Sequence, residues 1–203
     1  MSVYHLQAGS PLSYLIAFIL PALDAILPVV PSETAVVALG VTTSRNWDPL
    51  IPLLVATAAA GAFVGDNVSY LIGRRFSGWA QRRFFAGPRG AERQAWAVRT
   101  LGHYGARLIV VCRFIPAGRT AVTLTCGITG YPHRRFAMAT AVASVIWATY
   151  AFMIGRLGGK AFEDRPWAGL LLALAVTLAA SGLIEAGRRL AGWLGSRRRQ
   201  RQG

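Results

Sequence analysis

Residues 107–130 read RLIVVCRFIPAGRTAVTLTCGITG, and the fold turns on how this stretch is understood. It is apolar enough to enter a bilayer, yet it carries Arg113 and Arg119 and is interrupted by Pro116, Gly118 and Gly127. An arginine at the centre of a membrane helix costs about 2.5–3.5 kcal/mol on insertion scales, so such side chains face a protein interior or a wet cavity rather than lipid. Pro116 has no N–H to donate and its ring clashes with the preceding turn, while Gly118 accepts backbone geometry that other residues resist. The phrase RFIPAGRT is therefore expected to bend between two half-helices. Irregular backbone at membrane depth survives only where it is buried in protein or lines water. The stretch is expected to be a re-entrant hairpin with Arg113 and Arg119 near its tip.

An earlier stretch repeats the phrase. Pro31-Ser-Glu-Thr-Ala-Val leads to Gly40-Val-Thr, as Pro116-Ala-Gly-Arg-Thr-Ala-Val leads to Gly127-Ile-Thr, which sets Glu33 opposite Arg119 with the charge reversed. A second echo follows in the same order, Tyr70-Leu-Ile-Gly-Arg74 and Phe152-Met-Ile-Gly-Arg156. Two ordered matches point to a duplication. Interrupted apolar segments at corresponding positions of two repeats are the sequence mark of a transporter-type site at the repeat interface.

Composition sets the class. A chain of 203 residues that is 54% hydrophobic, with mean hydropathy +0.42, is too apolar for an ordinary soluble domain, and several runs approach the roughly 20 residues of a spanning helix. The expected fold is an all-α integral membrane protein, an inverted repeat with two opposed re-entrant hairpins plus spanning helices. Net charge +14 raises the question of nucleic acid. The basic residues cluster between apolar runs without any nucleic-acid motif, so anionic lipid and cytoplasmic anchoring account for them better. Cys112 and Cys126 both fall at membrane depth in the second hairpin, where free buried thiols are expected rather than a disulfide framework. No removable signal peptide is read at the N-terminus.

In chain order, one membrane domain is expected over residues 1–203, with a first repeat at 12–73. Residues 12–27 form a short or tilted helix containing Pro21 and Asp24, 27–43 the first hairpin with Glu33 as its charge, and 50–73 a clear span holding Asp66. The small-residue run 58–62 suits close helix approach and permits homo-oligomerisation. Residues 74–106 are a basic amphipathic segment. From Arg74 to Arg107 eight arginines face one acid, Glu92, with Trp79, Phe84, Phe85 and Trp96 interleaved, as suits the headgroup region. The second repeat occupies 107–156, a final span 167–186, and a basic tail 187–203 with six arginines and no acid beyond residue 187. By the positive-inside rule the basic segment and the tail are both cytoplasmic. That holds if each hairpin returns to the side it entered, so that the two hairpins enter from opposite faces and their tips meet near the midplane.

The buried charges then carry the chemistry. Arginine presents a planar fork that matches phosphate oxygens and stays protonated, so Arg113 and Arg119 are the expected grips on an anionic head group, with Glu33 beside them. Glu33, Asp24 and Asp66 are candidates for gating or proton coupling, although each also pairs naturally with an arginine in a purely structural role. Asp66, close to the end of its span, has a local pairing role as its plain alternative. His5, His103 and His133 lie at flanks without metal-type spacing, and Trp147 reads as a belt or packing residue. No metal or other cofactor is expected. No nucleophile and base are paired as in the Gly-x-Ser-x-Gly hydrolases, which argues against an enzyme acting on lipid phosphates.

The chain resembles the DedA family of membrane proteins, also called the SNARE-associated or VTT-domain family. The resemblance rests on the segment from Leu27-Pro to Pro31-Ser-Glu33, Gly65-Asp66 with Tyr70 and Ile72-Gly-Arg, Arg113-Phe-Ile-Pro-x-x-Arg119-Thr, Gly127, and Arg135-Phe136 leading to Trp147. It spans about residues 12–160. The resemblance implies two opposed re-entrant hairpins and lipid translocation: eukaryotic relatives look like phospholipid scramblases, and some bacterial ones recycle undecaprenyl phosphate across the inner membrane. It places the family's acidic positions at Glu33 and Asp24, its arginine pair at Arg113 and Arg119, and implies dependence on the proton-motive force. The arginine-rich tail is outside the family pattern. The expectation is thus a multi-pass protein of the inner (plasma) membrane that moves an anionic lipid, undecaprenyl phosphate or a phospholipid, between leaflets. A proton-coupled exporter of small ions or drugs, using the same carboxylates, is the alternative.

Overall fold

The computed structural model describes residues 10–27, 32–42, 49–115 and 118–161. Among these every regular element is an α-helix: α1 (Pro11–Asp24), α2 (Ser32–Thr42), α3 (Ile51–Arg75), α4 (Ser77–Phe84), α5 (Gly87–Cys112), α6 (Gly118–Ile128) and α7 (His133–Ala161). Residues 1–9, the prolines Pro28, Pro31 and Pro116, the turn over 44–48, the expected span 167–186 and the basic tail lie outside the described residues. The chain divides into two compact units, Met1–Leu157 and Gly158–Gly203, and the packing and the candidate site described next belong to the first.

Two helices are long and apolar enough to cross a membrane, Ile51–Arg75 and His133–Gly158, and α1 and α2 are shorter apolar helices. Their outward faces are apolar too: Leu53, Val68 and Leu71 on α3, Val142, Val145 and Ile146 on α7, and Leu12, Leu15 and Ile19 on α1 are all exposed. A row of large aliphatic side chains along the outside of several adjacent helices suits lipid as the surrounding solvent. Proline sits where a helix start tolerates it, at Pro11, Pro52 and Pro88 in the first turns of α1, α3 and α5. Helix α1 ends at Asp24, a turn earlier than the apolar run suggests. Helix α5 runs unbroken across the boundary that composition draws at 106/107, so one 26-residue helix carries the arginine-rich surface at its start and Arg113 just past its end.

The helices approach through glycine. A Cβ on Gly61 would lie 2.8 Å from the Cα of Phe18, and one on Gly65 2.8 Å from the Cα of Ala22, so α1 runs parallel to α3 with the backbones in contact. Two further contacts mirror each other. A Cβ on Gly127 of α6 would strike the carbonyl of Tyr70 and lie 2.7 Å from the amide nitrogen of Arg74, both on α3. A Cβ on Gly40 of α2 would strike the carbonyl of Phe152 and lie 3.0 Å from the amide nitrogen of Arg156, both on α7. In return, Gly73 of α3 abuts the carbonyl of Leu124, and Gly155 of α7 that of Val37. The repeated phrases of the sequence thus pack crosswise, the short helix of each against the long helix of the other.

This packing corrects one register. Matching letters aligns Glu33 with Arg119, but the buried positions of α2 are Ser32, Val36, Leu39 and Gly40, and those of α6 are Arg119, Thr123, Cys126 and Gly127. Counted back from the paired glycines, Ser32 stands where Arg119 does and Glu33 stands where Thr120 does. One residue is about 100° around a helix, enough to turn Glu33 off the packed face.

The interior has two apolar clusters. One joins Ala17 of α1, Val36 and Leu39 of α2, Leu54, Ala58 and Ala62 of α3, and Trp147, Ala151 and Phe152 of α7. The other joins Tyr70 of α3, Leu101 and Ile109 of α5, Cys126 of α6 and Phe136 of α7. Tyr70 stacks on Phe136 at 4.7 Å and its hydroxyl donates to the carbonyl of Tyr131 at 2.6 Å. Together the two clusters show that α3 and α7 run antiparallel. Cys112 and Cys126 are buried free thiols, as the sequence suggests.

Candidate functional site

Between the two apolar clusters, four helix ends and one long helix bring five polar side chains together. Asp66, on the buried face of α3, is 1% exposed. It accepts from Arg113 Nη1 through one carboxylate oxygen at 2.5 Å and from Arg119 Nε through the other at 2.7 Å. Arg113 lies in the turn after α5, and Arg119 in the first turn of α6. Their guanidinium groups approach from either side of the break that Pro116 and Gly118 predict. Arg119 Nη1 also donates to Asp24 Oδ2 at the end of α1, at 3.1 Å, and Ser32 Oγ at the start of α2 donates to the same oxygen at 2.8 Å.

The two arginines differ in how fully they are partnered. Arg119 Nη2 donates to the carbonyls of Pro21 and Ala62, both at 3.3 Å, so each of its three nitrogens has an acceptor. Arg113 donates to Asp66 alone; its Nε and Nη2 are buried without a hydrogen-bond partner among the described residues. Its guanidinium carbon lies 5.2 Å from the ring centroid of Trp147, a cation–π arrangement. Arg113 is 6% exposed and Arg119 8%. Two carboxylates and two guanidinium groups make the cluster formally neutral, which is the condition for holding four charges out of water.

Of the residues expected from sequence, Asp24, Asp66, Arg113 and Arg119 converge. Glu33 does not: it is exposed on the first turn of α2 and takes part in no ion pair among the described residues. Asp66, read as a residue with a plain local alternative, is the hub. Ser32 escaped notice because only the helical register places it beside Asp24. The carbonyls of Pro21 and Ala62 leave no mark in a sequence, although a proline inside α1 is a hint, since it loosens the backbone hydrogen bonding around it. Trp147 is a packing residue, 3% exposed, with a guanidinium over its face. His133 bonds Asn67 at 2.9 Å, apart from the cluster, and no metal-type group of three or more His, Cys, Asp or Glu occurs among the described residues.

A helical protein with apolar outer faces and a buried, neutral four-charge cluster is a membrane protein of the kind that builds polar sites between helices. Residues 30–157 match the model of the VTT domain, and the chain belongs to that family, the DedA family. It is 28% identical over 192 residues to an uncharacterized membrane protein of Mycobacterium tuberculosis, covering 89% of this chain and 87% of that one. It is 27% identical over 134 residues to Protein DedA of Escherichia coli, covering 62% and 59%. It is 25% identical over 164 residues to undecaprenyl phosphate transporter A of Staphylococcus aureus, covering 75% and 77%. No solved structure matches the chain.

Proposed function

We propose that the protein moves an anionic lipid between leaflets of the inner membrane, with undecaprenyl phosphate as the preferred cargo, and that the head group passes through the Asp24–Asp66–Arg113–Arg119 cluster. The observation that carries this reading is the pair of buried guanidinium groups held at one point by Asp66. Arginine matches phosphate oxygens in geometry and charge, and a buried guanidinium with free N–H groups attracts an anion strongly. The likeness to a relative named undecaprenyl phosphate transporter A supports the choice of lipid.

On this reading the crosswise glycine contacts belong to an inverted repeat, whose short helices α2 and α6 are arms of two opposed re-entrant hairpins. The basic surface of α4 and α5 faces the cytoplasm, where arginine-rich loops are retained. The charge balance suggests how transport couples to protons. The empty cluster is neutral, so an arriving phosphate leaves it negative. A proton taken up on Asp24, whose Oδ2 is bonded by both Ser32 and Arg119, restores neutrality and frees Arg119 to move. Glu33, exposed on the first turn of α2, relays or gates that proton.

The test is translocation by purified protein in liposomes, comparing undecaprenyl phosphate with an ordinary phospholipid. Wild type is expected to move the lipid phosphate, and Arg119→Ala, shown by size-exclusion elution to be folded, to fall to the protein-free rate. Asp24→Asn is expected to lose dependence on an imposed proton gradient. A folded Arg119→Ala protein that transports at the wild-type rate contradicts the proposal. Absence of lipid transport together with substrate-driven proton flux favours the exporter of small ions or drugs.

A further inference from the structure

Arg113 and Arg119 flank one break in the sequence, but their bonding separates them. Arg119 is held on every nitrogen, by Asp66, Asp24 and two backbone carbonyls. Arg113 has one anchor, Asp66, and two buried nitrogens with no acceptor among the described residues. A buried charged donor left unbonded is costly, by about 1–3 kcal/mol or more, and such groups in a native protein call for a reason.

A second unpartnered group lies on α7, the helix whose Trp147 faces Arg113. Ser144 Oγ on α7 is buried and has no hydrogen-bond partner among the described residues. Ser144 sits one turn before Trp147 on the buried face of α7, and the Arg113 guanidinium lies over the Trp147 ring. The antiparallel course of α3 and α7 runs from Tyr70 on Phe136 at one end to Ala62 in the cluster of Trp147 and Phe152 at the other. That course brings Ser144 to within about one helical turn of the level of Asp66. Serine in a membrane helix ordinarily bonds back to the carbonyl four residues earlier, as Thr140 does to Phe136 at 3.1 Å. Ser144 does not, and its hydroxyl stays available.

From this juxtaposition we propose an anion subsite formed by Arg113 Nε and Nη2 together with Ser144 Oγ, walled by the face of Trp147, that receives the oxygens of a phosphate monoester. The subsite rests on the transport reading above and assigns its parts: Arg113 grips the phosphate, Ser144 donates a further hydrogen bond, and Arg119 tethers α6 to α1 and α3 rather than touching the cargo. Nε and Nη2 form one edge of the guanidinium fork, the geometry that receives two oxygens of one phosphate, and Nη1 on Asp66 holds that edge in place. Lysine has no such edge. A neutral lipid gives these three donors too few acceptors, so the subsite selects phosphate over an alcohol of the same chain.

The experiment is binding of a short-chain, detergent-soluble isoprenyl phosphate to the purified full chain by titration calorimetry, with inorganic phosphate and the phosphate-free isoprenol as the other arms. Wild type is expected to bind the phosphate and not the alcohol. Ser144→Ala, a small change on a buried face, is expected to weaken binding roughly 10-fold, and Arg113→Lys by at least that much with charge retained. Inorganic phosphate bound as tightly as the isoprenyl phosphate, and lost in Ser144→Ala, supports the subsite and makes it a site for the free anion; binding of the lipid form alone makes it a head-group site. Isoprenyl phosphate bound by wild type with equal affinity in Ser144→Ala and Arg113→Lys overturns the subsite while the transport reading stands. Failure of wild type to bind any lipid phosphate overturns both.

Discussion

The contact of α6 on α3 and the contact of α2 on α7 are built alike and charged differently. Each presses a glycine, Gly127 or Gly40, against the carbonyl of an aromatic residue, Tyr70 or Phe152, and receives a glycine of the long helix in return. Eight residues before Gly127 stands Arg119, and eight before Gly40 stands Ser32; four before Tyr70 stands Asp66, and four before Phe152 stands Ala148. Ala148 lies fully buried in the apolar cluster, whereas Asp66 carries both arginines. The packing is doubled and the charge is single. Two equivalent contacts thus surround one charged centre, built on α3, the start of α6 and the turn after α5, with Asp24 of α1 at its edge.

The largest effect is expected from making the two long helices alike. Asp66→Ala gives α3 the residue that α7 has, and leaves two buried guanidinium groups without their shared carboxylate. Removing one partner of a buried ion pair costs about 3–5 kcal/mol, so the variant is expected to insert poorly or to lose most of its thermal stability by fluorescence-detected size exclusion. Wild-type stability in that variant would mean that the cluster does not hold the helices together. Next come the glycines. Gly127→Ala and Gly40→Ala each force a methyl group against a backbone carbonyl, an overpacking of about 1–3 kcal/mol. The two losses are expected to be similar in the same thermal assay; a large loss in one and none in the other would show that the contacts are not equivalent. Ser32→Ala removes one neutral-to-charged hydrogen bond on Asp24 and is expected to cost about 1–2 kcal/mol, well short of the Asp66 effect. Glu33→Gln comes last. An exposed residue without an ion pair among the described residues is expected to change stability by no more than about 0.5 kcal/mol, so any fall in transport by this variant reports a role in gating rather than in folding.

Much of this arrangement is legible in the chain. Pro116 and Gly118 between two arginines mark the break between α5 and α6, and the repeated Gly40-Val-Thr and Gly127-Ile-Thr, with Ile-Gly-Arg in both long helices, name the four glycines that touch. What stays hidden is register and partner choice. The shared Thr-Ala-Val suggests that Glu33 faces Arg119, but helices meet by face rather than by letter, and a shift of one residue gives that place to Ser32. Asp66 is visible as an acid in a span; its role as the common partner of Arg113 and Arg119 follows only from three-dimensional convergence. Ser144 has a faint signal, since Thr140 and Ser144 form a polar pair at helical spacing on an otherwise apolar face. Backbone acceptors such as the carbonyls of Pro21 and Ala62 have none.

Entry of a lipid head group into the buried cluster can be read by photo-crosslinking. An isoprenyl phosphate with a diazirine next to its head group would be irradiated with wild-type protein in liposomes, and the adducts mapped by mass spectrometry. Adducts are expected on α7 around Ser144 and Trp147 and at the end of α5 near Cys112 and Arg113, competed away by unlabelled lipid phosphate. Adducts confined to the basic surface of α4 and α5, with none around the cluster, would contradict it.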